Sequence, residues 1–187
     1  GQATSQNQSI TSAGAIDLRG LTTAGSGTFA ITTTNNSATI DHITIGADLD
    51  SDGTGLLTLT ANDDAIIGGA LDHAGALTVI AHGAENGTTT TGAGLLYSSA
   101  DKVVTSGAAL TLRGDVIGKN DDASAALKVS STGLNLNAGA SGNGAINITS
   151  AAAIRLDTLD STGSGTVGIA TTSGDITLGN GGGAAID

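Results

Sequence analysis

The chain lacks cysteine, proline, methionine and tryptophan, and it has one phenylalanine, Phe29, and one tyrosine, Tyr97. Without cysteine it forms neither a disulfide framework nor a thiolate site. Aromatic side chains supply much of the buried area of ordinary cores. Hydrophobic residues still make up 39% of the chain, mostly as Ala, Ile, Leu and Val, so any core must be narrow and aliphatic. Their regular spacing argues against disorder, which the abundant Gly, Ser and Thr would otherwise suggest.

Basic residues are also scarce, since six Lys and Arg stand against 17 Asp and Glu and the formal net charge is −11. Nucleic acids and anionic membranes attract clustered Lys and Arg, so neither is an expected partner. No apolar run approaches the ~20 residues of a membrane-spanning helix, and no signal-peptide pattern is present. The sequence starts at Gly1 without Met and ends inside an apolar pattern, from which we expect an excerpt of a longer polypeptide.

A short motif recurs along the chain, with two apolar residues separated by one position after a small residue, as in 75–79 (Gly-Ala-Leu-Thr-Val). Alternate residues of a strand share a face, so each motif predicts a short strand with two inward side chains. The first inward residues are Phe29, Leu57, Leu77, Leu95, Leu110, Leu127, Ile146 and Val167. Their mean spacing is about 20 residues, a period typical of repeat architectures.

A second set of apolar pairs lies between the first, for example Val116/Ile117 and Ile154/Leu156. Two or three short strands in each turn of about 20 residues are typical of a parallel β-helix. The sequence therefore predicts an all-β fold in which residues 1–187 form a single segment. We expect a right-handed parallel β-solenoid of about nine coils, roughly 40–45 Å long at the usual strand spacing.

A longer duplication supports this prediction. Residues 10–34 align with residues 148–172 at a constant offset of 138, and 15 of the 25 pairs are identical. At a period of about 20 residues this offset corresponds to about seven coils, which predicts that the duplication preserved whole coils. The open ends of such a rod would expose unpaired strand edges, which adjoining sequence or another molecule must cover.

The Gly/Ala/Thr/Asn-rich coils, such as 14–18 (Gly-Ala-Ile-Asp-Leu) and 174–179 (Gly-Asp-Ile-Thr-Leu-Gly), resemble filamentous-haemagglutinin-like exoproteins. These are large right-handed β-helix adhesins of two-partner secretion, with related autotransporter passengers. The resemblance covers nearly the whole chain and rests on composition and period. It implies secretion in an extended state, folding outside the cell and a stalk or adhesive role. The absence of Cys and Pro fits that route, because neither crosslinks nor slow isomerisation would obstruct threading.

The sharpest local feature is an acidic segment in which Asp48, Asp50 and Asp52 alternate before Gly53. Carboxylates at alternating positions before a glycine are how a loop wraps oxygen ligands around Ca²⁺. The acid expected at the twelfth position is absent, so the nearby Asp63 or Asp64 would have to contribute. The duplicate lacks these acids, which suggests that the segment is an inserted loop. The sequence leaves two alternatives: a Ca²⁺ site at Asp48, Asp50 and Asp52, or a solvated acidic turn.

Other polar residues give weaker signals. The clusters 62–64 (Asn-Asp-Asp) and 120–122 (Asn-Asp-Asp), with His82, invite comparison with β-helical polysaccharide hydrolases, which need paired carboxylates. Turn acids explain the same residues, and no long loops are present to build a cleft. His42, His73 and His82 have no metal-ligand spacing on one strand, so we interpret them as surface or turn residues.

The sequence therefore predicts a non-catalytic, extracellular structural or adhesive β-solenoid of a bacterial surface protein, with no cofactor other than the Ca²⁺ considered above. Its partners would be a host or neighbouring-cell surface, or copies of itself, and not nucleic acid or a membrane interior. The alternative is a self-assembling extracellular filament or sheath subunit. A polysaccharide-active enzyme is the remote third.

Overall fold

The structure is a computed structural model that describes residues 6–34, 41–81, 94–99, 101–118, 126–138, 144–162 and 164–179. Within these ranges there are 19 strands and no helix. The strands are β1 (Gln8–Ser12), β2 (Ile16–Leu18), β3 (Phe29–Thr33), β4 (Ile43–Ile45), β5 (Leu49–Ser51), β6 (Leu57–Ala61), β7 (Ala65–Ile67), β8 (Leu71–His73), β9 (Leu77–Ala81), β10 (Leu95–Ser98), β11 (Val103–Ser106), β12 (Ala109–Gly114), β13 (Val116–Ile117), β14 (Leu127–Ser130), β15 (Gly133–Ala138), β16 (Ile146–Ser150), β17 (Ile154–Ser161), β18 (Val167–Thr171) and β19 (Ile176–Leu178).

The strands form two parallel sheets that run along the same axis. Sheet A has eight strands in the order β1-β3-β6-β9-β12-β15-β17-β19. Sheet B has eleven strands and contains two ladders, β2-β4-β7-β10-β13 and β5-β8-β11-β14. These ladders meet on β16, where Ile146 pairs with Ile117 of β13 and Ile148 pairs with Leu127 of β14. A turn therefore has three strands from β3 to β14 and two strands from β15 onward. The predicted all-β parallel solenoid is confirmed.

The solenoid has about six turns, which differs from the predicted nine. The predicted series of inward residues does not follow one face: Leu57, Leu77 and Leu110 lie in sheet A, whereas Leu127 and Ile146 lie in sheet B. Turn length also varies, since Leu57 pairs with Leu77, 20 residues later, and Leu77 pairs with Leu110, 33 residues later. Because the connections between strands differ in length, residues spaced at a constant period along the chain do not all lie in the same sheet.

The core is a set of aliphatic ladders along the axis. In sheet A, Leu57, Leu77, Leu110 and Leu134 follow one another in register, and each is 0% exposed. Sheet B contributes similar rows, including Ile43, Ala65 and Leu96, and the two sheets enclose one continuous core. No coil could bury these side chains alone, because each inward face is closed by its neighbours on either side.

A column of glycines marks the corner that leads into sheet A. A Cβ atom added to Gly75 would lie closer than 3.0 Å to the Gly55 carbonyl, and one added to Gly55 would meet the Gly27 carbonyl in the same way. These contacts involve backbone atoms of the preceding turn, which no side-chain rotation relieves. Glycine is therefore required here by the close stacking of successive turns rather than by a special backbone angle.

Replacing Gly75 with alanine is expected to destabilise the protein by about 1–3 kcal/mol, because the added methyl group forces two turns apart. The matched control is Gly14→Ala, since a Cβ at Gly14 meets nothing within 4 Å. Urea unfolding followed by circular dichroism measures both. Equal stability of the two variants would contradict the close stacking at this corner.

The two copies of the duplication adopt the same local structure on different sheets. Strands β1 and β3 of the first copy lie in sheet A, whereas β16 and β18 of the second lie in sheet B. From β1 the ladder passes through β3, β6, β9 and β12 to β15 before the chain reaches β16 on the other sheet. The offset therefore spans five and a half turns, and the expectation of seven whole coils is wrong.

Candidate functional site

The acidic segment contains a regular strand of the solenoid and is not an inserted loop. Residues Leu49–Ser51 form β5, which pairs with β8 in register, Leu49 with Leu71 and Ser51 with His73. Leu49 and Ser51 are buried and Asp50 is exposed, so alternation directs the acid outward. The turn from Phe29 to Leu57 is longer than the next one, from Leu57 to Leu77, and its additional residues lie mainly between Thr33 and Ile43.

Asp48 is satisfied by neighbouring turns. Its carboxylate Oδ1 accepts the Ala70 N–H at 2.8 Å and the Lys102 ammonium at 3.0 Å. The Ala70 N–H first, and then Lys102, hold the pKa of Asp48 below its ordinary value. The side chain is 68% exposed, so the pair with Lys102 is a solvent-screened contact that connects successive turns at the surface.

Replacing Asp48 with asparagine is expected to make the stability of the protein slightly less dependent on pH in the acid range. A carboxyl group whose pKa is lowered on folding stabilises the native state above its unfolded pKa of 3.8, and this contribution is lost as pH falls through the lower folded value. Thermal unfolding between pH 2 and pH 5 is the measurement, for the wild type and Asp48→Asn. Curves that stay parallel throughout this window would contradict the expectation.

The three predicted calcium ligands lie on the outer side of the solenoid. Asp50 is in register with Asp72 of β8, and both are exposed. Asp52 is also exposed. The extended β5 sets these acids in a row instead of wrapping them around one point, and calcium binding by Asp48, Asp50 and Asp52 stays a prediction. Elsewhere, His42, Asp63 and Asp64 form a cluster of metal-ligating type within the described ranges.

This second cluster occupies the corner where sheet A leads into sheet B. The Nδ1 atom of His42 lies 3.6 Å from Oδ2 of Asp63 and 3.6 Å from Oδ2 of Asp64. The same Nδ1 accepts the Asp64 N–H at 3.1 Å, and Oδ1 of Asp64 accepts the Leu95 N–H at 2.8 Å. The cluster therefore connects three successive turns through two backbone N–H groups, and a metal on Nδ1 of His42 would have to displace the Asp64 N–H.

Of the carboxylates considered for hydrolysis, Asp64 thus has a structural partner at this corner. Of the hydrolase signals, His82, Asp121 and Asp122 lie outside the described residues. His42 is half-buried at this turn beside the two acids, a contact that the sequence did not predict. The turn brings residues 22 positions apart into contact, which spacing along one strand does not reveal.

A buried hydrogen-bonded chain was missed by sequence reasoning. His73 is 2% exposed, although the sequence predicted a surface or turn residue. Its Nε2–H donates to the Gly55 carbonyl at 2.8 Å, so its Nδ1 accepts the Ser51 hydroxyl at 3.0 Å. The Ser51 oxygen in turn accepts the Thr23 hydroxyl. Strand alternation was the available signal, because His73 is two residues after the inward Leu71.

A shallow groove lies on the outer side of β14, β16 and the end of β18. It has a volume of about 350 Å³ and is lined by apolar and hydroxyl side chains, with Lys128 at one side. Lys128 donates to the exposed Asp101 carboxylate at 2.8 Å. The lining includes Val103, Ala151 and Thr172. The groove presents a small apolar floor beside a paired cation, and no sequence motif pointed to it.

No protein-family model, curated protein sequence or solved structure matches the chain. Among the residues that the structure describes, no helix is long and apolar enough to cross a membrane. The fold and the contacts above are therefore the basis for a functional proposal.

Proposed function

We propose that the chain is a rigid, non-catalytic scaffold segment of a large secreted bacterial surface protein, built as a right-handed β-solenoid. The observation that supports this proposal most directly is the apolar ladder from Phe29 to Leu156 in sheet A, which connects β3 to β17 through successive turns. Stability in such a structure comes from contacts between neighbouring turns, so the segment resists bending and can be lengthened by adding turns.

The hydrogen-bonding of the buried polar groups supports the scaffold role. In the described part of the chain, each buried side-chain nitrogen or oxygen atom has a hydrogen-bond partner. The strongest polar cluster, at His42, Asp63 and Asp64, ties turns together through backbone groups. These contacts favour a scaffold over a polysaccharide-active enzyme, because the Asp64 carboxylate of that cluster holds a backbone N–H of the next turn.

Deleting residues 57–76 from the surface protein tests the proposal. The deletion removes β6, β7 and β8, which is one turn, and brings β9 to the place where β6 pairs with β3. We expect the shortened protein to fold, reach the surface and support adhesion at the wild-type level. Antibody labelling of intact cells and an adhesion assay measure these properties.

The matched control deletes residues 57–66, which is half a turn. This deletion brings Ile67 and the turn after it to the place where β6 pairs with β3, and it moves β9, a strand of sheet A, to a place in sheet B. The ladders of neighbouring turns then no longer align, so loss of folding and of surface display is expected. Adhesion lost in the whole-turn deletion while display is normal would overturn the scaffold proposal and assign the binding surface to this segment. Equal tolerance of both deletions would contradict the solenoid itself.

The groove beside Lys128 favours a second candidate, a direct adhesive contact with a small apolar group on a cell surface. A shallow site of this size would hold one side chain or one sugar face. Replacing Ala151 with a bulky residue would fill the groove, and Thr158→Trp on the exposed surface of β17 is the matched control. Reduced adhesion in the first variant alone supports this candidate.

A further inference from the structure

The corner at which sheet A leads into sheet B brings three side chains with metal-binding atoms together. His42 is the residue before β4, and Asp64 is the residue before β7. Ile43 and Ala65, the first residues of these two strands, are in register. His42 and Asp64 therefore lie at equivalent positions of successive turns, one strand spacing apart along the axis. Asp63 precedes Asp64, and one ligand atom from each of the three side chains lies within 4.8 Å of the other two.

The distances around Nδ1 of His42 match those between the ligands of a single ion. Nδ1 lies 3.6 Å from Oδ2 of Asp63 and 3.6 Å from Oδ2 of Asp64. Zn²⁺ binds imidazole nitrogen and carboxylate oxygen at about 2.0–2.2 Å, so two such ligands of a tetrahedral site are about 3.3–3.6 Å apart. The three atoms can therefore bind one ion with little movement of their side chains.

The hydrogen bonds at this corner set the orientation of the ligand atoms. Oδ1 of Asp64 accepts the Leu95 N–H at 2.8 Å, and Oδ2 of the same carboxylate lies toward His42. Outer partners of this kind fix a ligating carboxylate in metal sites. Nδ1 of His42 accepts the Asp64 N–H at 3.1 Å, so this nitrogen presents its lone pair on the side of the acids. A metal on Nδ1 replaces that single bond, and water can reach the corner, because the side chains of His42, Asp63 and Asp64 are 24%, 37% and 16% exposed.

We propose that His42, Asp63 and Asp64 bind one divalent transition-metal ion, with Zn²⁺ as the probe. Nδ1 of His42 and one carboxylate oxygen of each aspartate are the protein ligands, and water completes the coordination from the exposed side. The two carboxylates balance the charge of the ion. An imidazole ligand favours an ion of this kind over Ca²⁺ and Mg²⁺, which prefer oxygen ligands. The site is therefore distinct from the calcium site predicted in the acidic segment.

The ion connects two successive turns of the solenoid. His42 lies between β3 and β4, whereas Asp63 and Asp64 lie between β6 and β7, and the Ile43 N–H already donates to the Asp64 carbonyl at 3.0 Å. The three ligands meet only when these turns are stacked, so the ion binds and stabilises the folded chain. At a zinc concentration a hundredfold above the dissociation constant, the thermal midpoint should rise by about 5–10 °C. The inference goes beyond the scaffold proposal and does not depend on it.

Substitutions at the corner test the ligand set by isothermal titration calorimetry with zinc chloride. The wild type should bind one ion, and Asp63→Asn should bind it at least about tenfold more weakly, although the backbone bonds of His42 and Asp64 stay in place. His42→Ala should lose the site. The matched control is Asp72→Asn, which makes the same change of charge at an exposed acid on another ladder and should bind zinc as the wild type does. His82→Ala is the control for a different histidine and should also bind normally.

Nuclear magnetic resonance of the imidazole rings locates the ion. Zinc should shift the Nδ1 signal of His42 and leave the signals of His73, whose two ring nitrogens are hydrogen-bonded in the core. A wild type that binds no zinc at millimolar concentration, or Asp63→Asn and His42→Ala variants that bind it unchanged, would overturn the proposal. Loss of binding in Asp72→Asn or His82→Ala would also overturn it, by assigning the ion to other residues. Should His42→Ala fail to fold, Asp63→Asn gives the same comparison.

Discussion

Replacing Leu110 with alanine is expected to lower the free energy of unfolding by about 2–5 kcal/mol. Leu110 is 0% exposed and lies between Leu77 and Leu134 in the central ladder of sheet A. Removing its side chain leaves a cavity bounded by two neighbouring turns, which are held apart by their own strand pairing and cannot close on it. Urea unfolding followed by circular dichroism measures the loss.

The adjacent Thr111 provides the matched control. Its side chain faces outward from β12 and is partly exposed, in line with Thr78 and Asn135 of the flanking strands. Thr111→Ala is expected to change stability by less than about 1 kcal/mol. A similar loss in both variants would contradict the placement of the core on the Leu110 side of the strand.

The same alternation explains why this face was predictable from the sequence. Leu57, Leu77 and Leu110 were all identified as inward, and the structure confirms each of them. Inward and outward side chains alternate with a period of two residues, so the inward face of a strand can be predicted without knowing where the next turn lies. At β10 the prediction was off by one residue, because Leu95 is half-buried and Leu96 is the buried side chain. A register error of one residue reverses the face.

Longer-range features depended on turn length, which the sequence does not specify. The contact of His42 with Asp63 and Asp64 exists because the connecting turn places Asp64 beside Ile43 of the preceding turn. Nine residues lie between Thr33 and Ile43, whereas three lie between Ala61 and Ala65, although both intervals connect sheet A to sheet B. A single average period therefore cannot predict which polar residues meet at a corner or how many turns the chain makes.

The acidic segment was misinterpreted for a related reason. Acids before Gly53 are typical of a turn, whereas the alternation of Leu49 and Ser51 is typical of a strand. Burial of those two side chains against the next turn outweighs the local preference of aspartate, which is accommodated by facing water at Asp50. The residue at the third position, Ser51, then becomes an interior polar group that requires a partner.

That partner is His73, and the resulting network holds the imidazole ring in one orientation. Ser51 is 1% exposed, and Thr23 is 5% exposed. Nε2 of His73 donates to the Gly55 carbonyl, and Nδ1 is hydrogen-bonded to the Ser51 hydroxyl. Gly55 belongs to the glycine column, so the histidine connects the core to the closely stacked corner that leads into sheet A. Buried networks of this kind stabilise only when each member has its partner.

Replacing His73 with alanine is expected to lower the free energy of unfolding by about 3 kcal/mol or more. The change leaves the Ser51 hydroxyl and the Gly55 carbonyl without their partner and opens a cavity. Asp72→Ala is the matched control, because Asp72 is exposed on the same strand, and its effect should stay within about 0.5 kcal/mol. Thermal and urea unfolding measure both.

A double-mutant cycle separates the network from simple burial. If the Ser51–His73 bond is formed as described, Ser51→Ala should cost much less in the His73→Ala background than in the wild type, with a coupling of about 0.5–3 kcal/mol. Strictly additive losses would contradict the bond and leave His73 as a space-filling side chain. His73→Phe tests the same two alternatives, because phenylalanine restores the buried volume without the hydrogen bonds. If phenylalanine recovers most of the stability lost in His73→Ala, the effect of the histidine is packing. If the loss persists, the effect is due to the hydrogen-bonded chain.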